Sequence, residues 1–316
     1  MHRRTFIGAL SALGMAPALA QSYPSRNVTV IVPYASGSSS DAQARLFAEQ
    51  LGKSLPRSVV VENKPGANAA IGMAAIKAAP ADGHTIGLAG GSPMVVNPLL
   101  TKNLGYDPED FVHVYGLSKA PAGFVVGAGS PHQDLRSALA AAAAAKKSLS
   151  VGTYAGIYEM GVALLSQRSR QEVQNVSYKG ATQVVTDLVG GHLEMGFIDL
   201  SGALPLIREG KLKVLALSGD ARSSTFDGVP LVADLFPGYQ ISPWTSFVLR
   251  KETPPAIVAT LSAALREAGK APAIREYYAR NGLFPLDLDA QQMRRFQAAD
   301  AERFAGIARA ASITPQ

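Results

Sequence analysis

Val28–Asp41, with the sequence VTVIVPYASGSSSD, is the stretch that decides the fold. Its first part, Val28–Pro33, is a short β-branched run that ends at a proline, which predicts a buried strand. Its second part, Tyr34–Asp41, is a loop of small and hydroxyl-bearing residues. Ala42–Gly52 follows with apolar residues at helical spacing. The segment therefore predicts a strand that continues into a helix through a loop of small residues.

The loop predicts a binding site for an anion. The first backbone N–H groups of a helix have no partner within the helix, and the helix dipole favours negative charge there. Serine hydroxyls beside these groups can donate or accept hydrogen bonds. The alternative is that Ser40 or Asp41 only caps the helix. The first candidate ligand contacts are Ser36, Gly37, Ser38, Ser39 and Ser40.

The first twenty residues have the pattern of an export signal. A basic start, His2-Arg3-Arg4, precedes an apolar run, Phe6–Met15, that is too short to cross a bilayer. Ala18-Leu19-Ala20 is a cleavage motif, so we expect a periplasmic protein with signal peptide 1–20 and a mature chain that begins at Gln21. Arg3–Ile7 also resembles a twin-arginine motif, and an ordinary secretory signal is the alternative.

Composition excludes several classes of function. The chain has no cysteine, which is more typical of an exported bacterial protein than of an extracellular eukaryotic one. Loss of Arg3 and Arg4 with the signal lowers the formal net charge from +6 to +4. The remaining charges are scattered, without the basic stripe or the aromatic platform that nucleic acid requires. We therefore expect no nucleic-acid partner.

No motif indicates an enzyme, a metal or a cofactor. The histidines of the mature chain lack metal-ligand spacing, and neither a Walker loop nor a G-x-G-x-x-G motif after a strand is present. The nucleophile motifs G-x-S-x-G and S-x-x-K are also missing. A catalytic set assembled from residues that are distant in sequence is the alternative. We expect a protein that is not an enzyme and has no cofactor.

Strands and helices alternate along most of the chain, which predicts an α/β fold with parallel sheets covered on both faces. In such folds ligands bind where the loops at the carboxyl ends of the strands gather. Loops of this kind are predicted at Tyr34–Asp41, Ala89–Pro93, Thr153–Tyr158 and Asp199–Gly202. Two fall in the N-terminal half and two in a middle segment, which suggests a cleft between two lobes. These loops add the candidate contacts Ser92, Thr153, Tyr154 and Asp199.

Each added candidate also has a structural interpretation. Ser92 precedes Pro93 and is suited to a turn, and Tyr154 is suited to core packing. Asp199 ends an apolar strand. There it either binds an amino group of a ligand or accepts hydrogen bonds from loop amides, and the sequence leaves both readings open.

A family resemblance extends along nearly all of the mature chain. It is carried, in order, by motifs at Tyr23–Tyr34, Val59–Ala67, Ala78–Thr85, Asn97–Pro108, Tyr178–Gly180, Thr186–His192 and Gly210–Ala216. Together these motifs resemble the substrate-binding proteins of tripartite tricarboxylate transporters, also called the Bug family of periplasmic solute receptors. Each motif is weak alone, but their order and spacing are specific.

The resemblance implies a type II-like periplasmic binding protein, with two α/β lobes, crossing strands and a ligand cleft between the lobes. Residues 21–118 plus 241–316 would form lobe 1, and residues 119–240 would form lobe 2. The implied function is capture of a small organic acid and its delivery to the membrane permease subunits of a tripartite transporter. A sensor protein that recognises the loaded receptor is the alternative partner. We expect the receptor itself to be a monomer.

The chain departs from the family pattern at the expected site. Ser38 and Ser39 stand where the family usually has consecutive glycines, and Ala70 stands where it usually has asparagine before Ile-Gly. The loop at Thr153–Glu159 carries two tyrosines and a glutamate, where the family loop is rich in serine and glycine. These departures predict a bulkier pocket wall and leave the identity of the acid open.

Overall fold

The computed structural model describes residues 23–315, so the predicted export signal at 1–20 lies outside the described residues. The strands are β1 (Val28–Val32), β2 (Val59–Asn63), β3 (Thr85–Gly90), β4 (Phe111–Lys119), β5 (Ala122–Gly127), β6 (Leu149–Thr153), β7 (Val173–Ser177), β8 (Met195–Asp199), β9 (Leu212–Ser218), β10 (Trp244–Arg250) and β11 (Phe284–Leu288). The helices are α1 (Ser39–Ser54), α2 (Ala70–Ala78), α3 (Asn97–Leu100), α4 (Leu135–Ala145), α5 (Gly156–Ser169), α6 (Ala181–Val189), α7 (Leu200–Arg208), α8 (Val232–Leu235), α9 (Pro255–Gly269), α10 (Pro272–Asn281) and α11 (Ala290–Ala310). In this part of the chain no helix combines the length and the apolar character needed to span a membrane.

The strands form two mixed sheets. One has the order β11-β4-β10-β3-β1-β2, and the other has the order β7-β6-β8-β5-β9. β1 pairs in parallel with β2 and β3, and β6 pairs in parallel with β7 and β8, as expected. β10 and β5, however, pair antiparallel with both of their neighbours. The prediction of purely parallel sheets was therefore partly wrong, because these strands cross from the other sheet and lack the helical crossover that parallel neighbours need.

The chain passes between the sheets in two segments that lie side by side. β4 ends at Lys119 and β5 begins at Ala122 in the other sheet, and the return passage leads from β9 to β10. The Ala120 N–H donates to the Pro243 carbonyl over 2.8 Å, and the Ser218 hydroxyl donates to the Ile241 carbonyl over 2.6 Å. The first bond joins the two passages, and the second holds the two ends of the return passage together. The predicted division into lobes at residues 118/119 and 240/241 stays a prediction.

The first helix starts earlier than the apolar spacing predicts. Ser38 is its N-cap, and the Ser38 hydroxyl accepts a hydrogen bond from the Asp41 N–H over 3.2 Å. The alternative interpretation, in which Ser40 or Asp41 caps the helix, is therefore wrong. α1 is anchored by Phe47, whose ring lies 5.5 Å from that of Phe247 in β10. Core packing therefore fixes the N-terminus of α1 at the carboxyl end of β1.

Two other segments also differ from the sequence prediction. The turn predicted at Gly90–Pro93 is the start of a π-helical turn, Ser92–Val96, because Gly91 already has helical angles and Pro93 is tolerated in a first turn. The amphipathic pattern after Ile257 predicts a mainly helical segment, but this segment contains β11. Its side chains alternate between half-buried and exposed, and it lies at the edge of its sheet, where Pro285 is tolerated.

Candidate functional site

The N-termini of α1 and α7 meet in the folded chain. Ser39 is the first residue of α1 and Ser201 lies in the first turn of α7, and their hydroxyl oxygens are 2.9 Å apart. Both residues are buried. α1 follows β1 of the six-stranded sheet, and α7 follows β8 of the five-stranded sheet. The contact therefore joins the carboxyl ends of strands from both sheets, where ligands bind in α/β folds.

Asp41 organises the loop before α1. Its Oδ2 accepts hydrogen bonds from the Gly37 N–H over 2.9 Å and from the Arg45 Nε over 3.0 Å. Its Oδ1 accepts one from the Asn63 Nδ2 over 2.9 Å. Burial acts to raise the pKa of Asp41, but these bonds and the charge of Arg45 hold that pKa below its ordinary value. The carboxylate is thus ionised and fully compensated. Gly37, with φ of +80°, adopts the left-handed conformation that this closed loop requires.

Asp199 has the corresponding position at the start of α7, of which it is the N-cap. Its Oδ1 accepts hydrogen bonds from the Ser201 N–H over 2.9 Å and from the Ser201 hydroxyl over 2.6 Å. Burial raises the pKa of Asp199, while the bonds from Ser201 and the nearby Ser39 hydroxyl act in the opposite direction. Within residues 23–315, no lysine or arginine forms an ion pair with this carboxylate.

Four tyrosines surround the two serines and Asp199. The Tyr154 hydroxyl lies 3.0 Å from that of Tyr158, and the backbone of Asp199 is close to Tyr154. Tyr34 is close to this pair, and Tyr277 of α10 is close to both Ser39 and Asp199. Burial is the main cause that raises the pKa of each of these hydroxyls, so all four are uncharged at neutral pH. These four residues are Tyr34, Tyr154, Tyr158 and Tyr277.

The fold brings three of the predicted contacts together, namely Ser39, Tyr154 and Asp199. Ser38 is occupied as the cap of α1, and Ser40 is half-buried in its first turn. Ser36 and Gly37 are exposed in the preceding turn.

Ser92 and Thr153 have hydroxyls that are engaged with other parts of the protein. The Ser92 hydroxyl accepts a hydrogen bond from the Ile157 N–H, in the first turn of α5, over 3.2 Å. The fully buried Thr153 hydroxyl donates to the Asn175 Oδ1 in β7 over 2.7 Å. The contacts of Ser92 and Thr153 are thus structural ones, and ligand contact by either residue stays a prediction.

Sequence reasoning did not name Ser201, Tyr34 or Tyr277 as contacts, and it expected Tyr158 only as part of a bulkier pocket wall. Ser201 had a local signal, because it lies two residues after a helix-capping aspartate. Tyr277 had none, because it comes from α10, more than two hundred residues from Ser39 in the sequence.

The described residues offer no metal site at this cluster. In the range 23–315, histidines and carboxylates do not gather in groups of three or more that are able to hold a metal ion. A surface groove of about 450 Å³ lies beside Phe226 and Lys213, and another of about 270 Å³ lies beside Arg136 and Phe236. The predicted contacts line neither groove, so the candidate site is defined by its packed polar side chains.

Comparison with known proteins identifies relatives along almost the whole chain. A family described as "Tripartite tricarboxylate transporter family receptor" matches residues 43–313. Protein BugT of Bordetella pertussis is similar in sequence, with 32% identity over 302 residues, which are 93% of this chain and 92% of BugT.

Two solved structures are similar in fold. R. palustris Rpa4515 with adipate has a TM-score of 0.88 and 26% identity, and the match covers 93% of this chain and 100% of that one. MatC (Rpa3494) from Rhodopseudomonas palustris with bound malate has a TM-score of 0.83 and 25% identity, with 90% and 99% covered. These similarities confirm the fold class predicted from the sequence.

Proposed function

This chain belongs to the tripartite tricarboxylate transporter receptor family, and we propose that it captures a small organic acid in the periplasm for a tripartite membrane transporter. The similar proteins Rpa4515 and MatC were solved with adipate and malate, which are both carboxylates. The matched family is one of receptors, which agrees with the expectation that the chain is not an enzyme. We also propose that residues 1–20 direct export and that the transporter's permease subunits recognise the loaded receptor.

The meeting of the α1 and α7 N-termini is the observation that supports this proposal most strongly. At the start of α1, the Asp41 N–H is capped by Ser38, and the Ala42 N–H makes the first bond back to the Ser38 carbonyl over 2.9 Å. The N–H groups of Ser39 and Ser40 come before that bond and are the ones that a ligand carboxylate would accept from.

The strength of such contacts is sufficient for a receptor. A hydrogen bond to a charged group contributes roughly 1.5–3 kcal/mol. Three or four of them, after the cost of association, support binding at about −8 kcal/mol, which is roughly micromolar. Because the amides and the serine hydroxyls come from both sheets, a bound acid would hold the two halves of the molecule together, and a partner would recognise this closed form.

A thermal denaturation screen of the mature protein with mono-, di- and tricarboxylates tests the proposal. An acid at about a hundredfold its Kd should add roughly 2.7 kcal/mol to the free energy of unfolding. A panel that gives no shift for any acid would contradict the proposed function. Chemical conversion of an acid that binds would support an enzyme instead.

A matched pair of variants tests whether the amides of α1 hold the acid. Ser39→Pro removes one N–H at the first helical position, where proline is tolerated, and the extended Ser38 before it is compatible with proline. Ser39→Ala removes the same hydroxyl but keeps the N–H. We expect Ser39→Pro to bind the acid roughly tenfold or more weakly than Ser39→Ala, since one charge-assisted bond is lost. Equal affinities would remove this amide from the site.

A further inference from the structure

Asp199 differs from the other perturbed aspartates of the described residues in having no cationic neighbour. The pKa values of Asp41, Asp82, Asp110, Asp220 and Asp300 also depart from the ordinary value, and each of these carboxylates has a lysine or an arginine acting on it. For Asp199 the opposing groups are only the hydroxyls of Ser201 and Ser39 and the Ser201 N–H. Its negative charge is therefore left uncompensated by any positive one.

The hydroxyl proton of Ser201 is directed toward Asp199. The Ser201 hydroxyl lies 2.6 Å from the Asp199 Oδ1 and 2.9 Å from the Ser39 hydroxyl. A hydroxyl has one proton, and an ionised carboxylate can only accept, so Ser201 donates to Asp199. The single hydroxyl proton of Ser201 is thus used on Asp199, and the second carboxylate oxygen, Oδ2, remains an acceptor.

The aromatic residues around Asp199 do not supply the missing positive charge. Tyr154 and Tyr158 are hydrogen-bonded to each other, and Tyr34 and Tyr277 lie nearby. All four are neutral hydroxyls that either donate or accept. They provide a polar but uncharged wall around a negative carboxylate.

The two ends of the site, the N-terminus of α1 and Asp199, therefore prefer different chemical groups of a ligand. A carboxylate offers about four acceptor positions, and Ser201 fills two of those on Asp199, which leaves acceptor capacity for a ligand. A hydroxyl or an ammonium group satisfies that capacity. A second carboxylate brings only further lone pairs and a like charge into a poorly solvated site, which is unfavourable.

We propose that Asp199 determines specificity: it selects acids whose far end carries a hydrogen-bond donor, a hydroxyl or an ammonium group, over acids with a second carboxylate there. This inference rests on the proposed function, in which the first carboxylate binds at the N-terminus of α1. The Ser39–Ser201 contact brings the start of α7 against that end of α1, so a ligand held by α1 extends toward Asp199.

Sets of ligands that differ only in their far end test the inference on the mature protein by isothermal titration calorimetry. One set is succinate, 4-hydroxybutanoate and 4-aminobutanoate, and a longer set is adipate, 6-hydroxyhexanoate and 6-aminohexanoate. In the set that fits the site, we expect at least one donor-ended acid to bind tenfold or more tightly than the dicarboxylate of equal length.

Asp199→Asn tests the residue itself. Asparagine is an equally good N-cap and its Oδ1 keeps both bonds from Ser201, so the helix start is preserved while the charge is removed. We expect the ratio of donor-ended to dicarboxylate affinity to fall at least tenfold. Asp134→Asn is the matched control, because Asp134 caps α4 in the same way through the Ser137 N–H and is exposed. It should leave the ratio unchanged.

The possible outcomes are distinct. If the dicarboxylate binds most tightly in every set, or if Asp199→Asn leaves the ratio as it was, this inference is overturned while the receptor function stands. If no acid of any set or of the wider carboxylate screen binds, the proposed function fails, and this inference fails with it. Should Asp199→Asn not fold, Asp199→Ser, which also retains a good cap without charge, takes its place.

Discussion

Asp41 and Asp199 stand at the two helix N-termini that meet in the candidate site, and their surroundings differ sharply. Asp41 has a guanidinium, an amide side chain and a backbone N–H around it, and its pKa is lowered. Asp199 has hydrogen bonds from Ser201 but no cation, and its pKa is raised by burial. The charge of Asp41 is balanced by its neighbours, whereas the charge of Asp199 is not balanced by a positive one.

We assign different roles to the two carboxylates: Asp41 stabilises the fold, and Asp199 recognises the ligand. The compensated Asp41 closes the loop that precedes α1 and fixes the amides of Ser39 and Ser40. The uncompensated Asp199 reduces the stability of the folded protein, and titratable groups in such environments occur preferentially at functional sites. We therefore expect substitutions on the two sides to have effects of different size and, for Asp199, of opposite sign.

Removal of the Asp41 side chain should have the largest effect. Asp41→Ala leaves the Gly37 N–H and the Asn63 amide without their buried acceptor, and we expect the free energy of unfolding to fall by about 2–4 kcal/mol. Urea denaturation measures this change. Glu49→Ala on the same helix is the control, since its ion pair with Lys53 is exposed and should contribute at most about 0.5 kcal/mol. A similar loss in both variants would contradict the structural importance assigned to Asp41.

Substitution of Ser201 or Ser39, which lie between the two carboxylates, should have the next largest effect on stability. The two losses should differ in size. Ser201→Ala removes a donor to a buried carboxylate, for which we expect a loss of about 1–2 kcal/mol. Ser39→Ala removes a hydroxyl–hydroxyl bond and a long bond of 3.5 Å from the Gln43 Nε2, with an expected loss of about 0.5–1 kcal/mol. Thermal denaturation of both variants at pH 7 gives the comparison. A larger loss for Ser39→Ala would show that Ser201 is not the main hydroxyl donor to Asp199.

Asp199→Asn should have the smallest effect on stability, and a stabilising one at neutral pH. The pKa of Asp199 is raised on folding, so this group favours the folded state below its ordinary pKa, near 3.9, and loses that contribution as the pH rises through the folded-state pKa. The variant has no carboxyl group at this position, so it lacks this dependence of stability on pH. We expect its Tm to exceed that of the wild type at pH 7 and the difference in Tm to shrink as the pH falls toward 4. A difference that grows in acid would contradict the direction of the shift.

The sequence predicts the secondary structure elements of this protein better than the tertiary contacts between them. The strand Val28–Val32 and the helix after it follow from local apolar spacing, and Asp199 and Tyr154 follow from the rule that sites lie at strand ends. The Ser39–Ser201 contact joins residues 162 positions apart, which no local pattern encodes. Tyr277 enters the cluster only through the packing of α10.

The antiparallel strands were missed for a related reason. Periodicity identifies a strand but not the sheet that it joins, so β5 resembles the parallel strands around it. β11 was missed because five residues with a proline carry a weak strand signal between two helices. In each case tertiary packing decides what the local sequence leaves open.

A crystal structure of the mature protein with the acid that gives the largest thermal stabilisation tests the central claim most directly. The account predicts a carboxylate of that acid within hydrogen-bonding distance of the Ser39 and Ser40 N–H groups, with the remainder of the molecule extending toward Asp199. An acid found instead in the groove beside Phe226 and Lys213, or away from both helix N-termini, would contradict it.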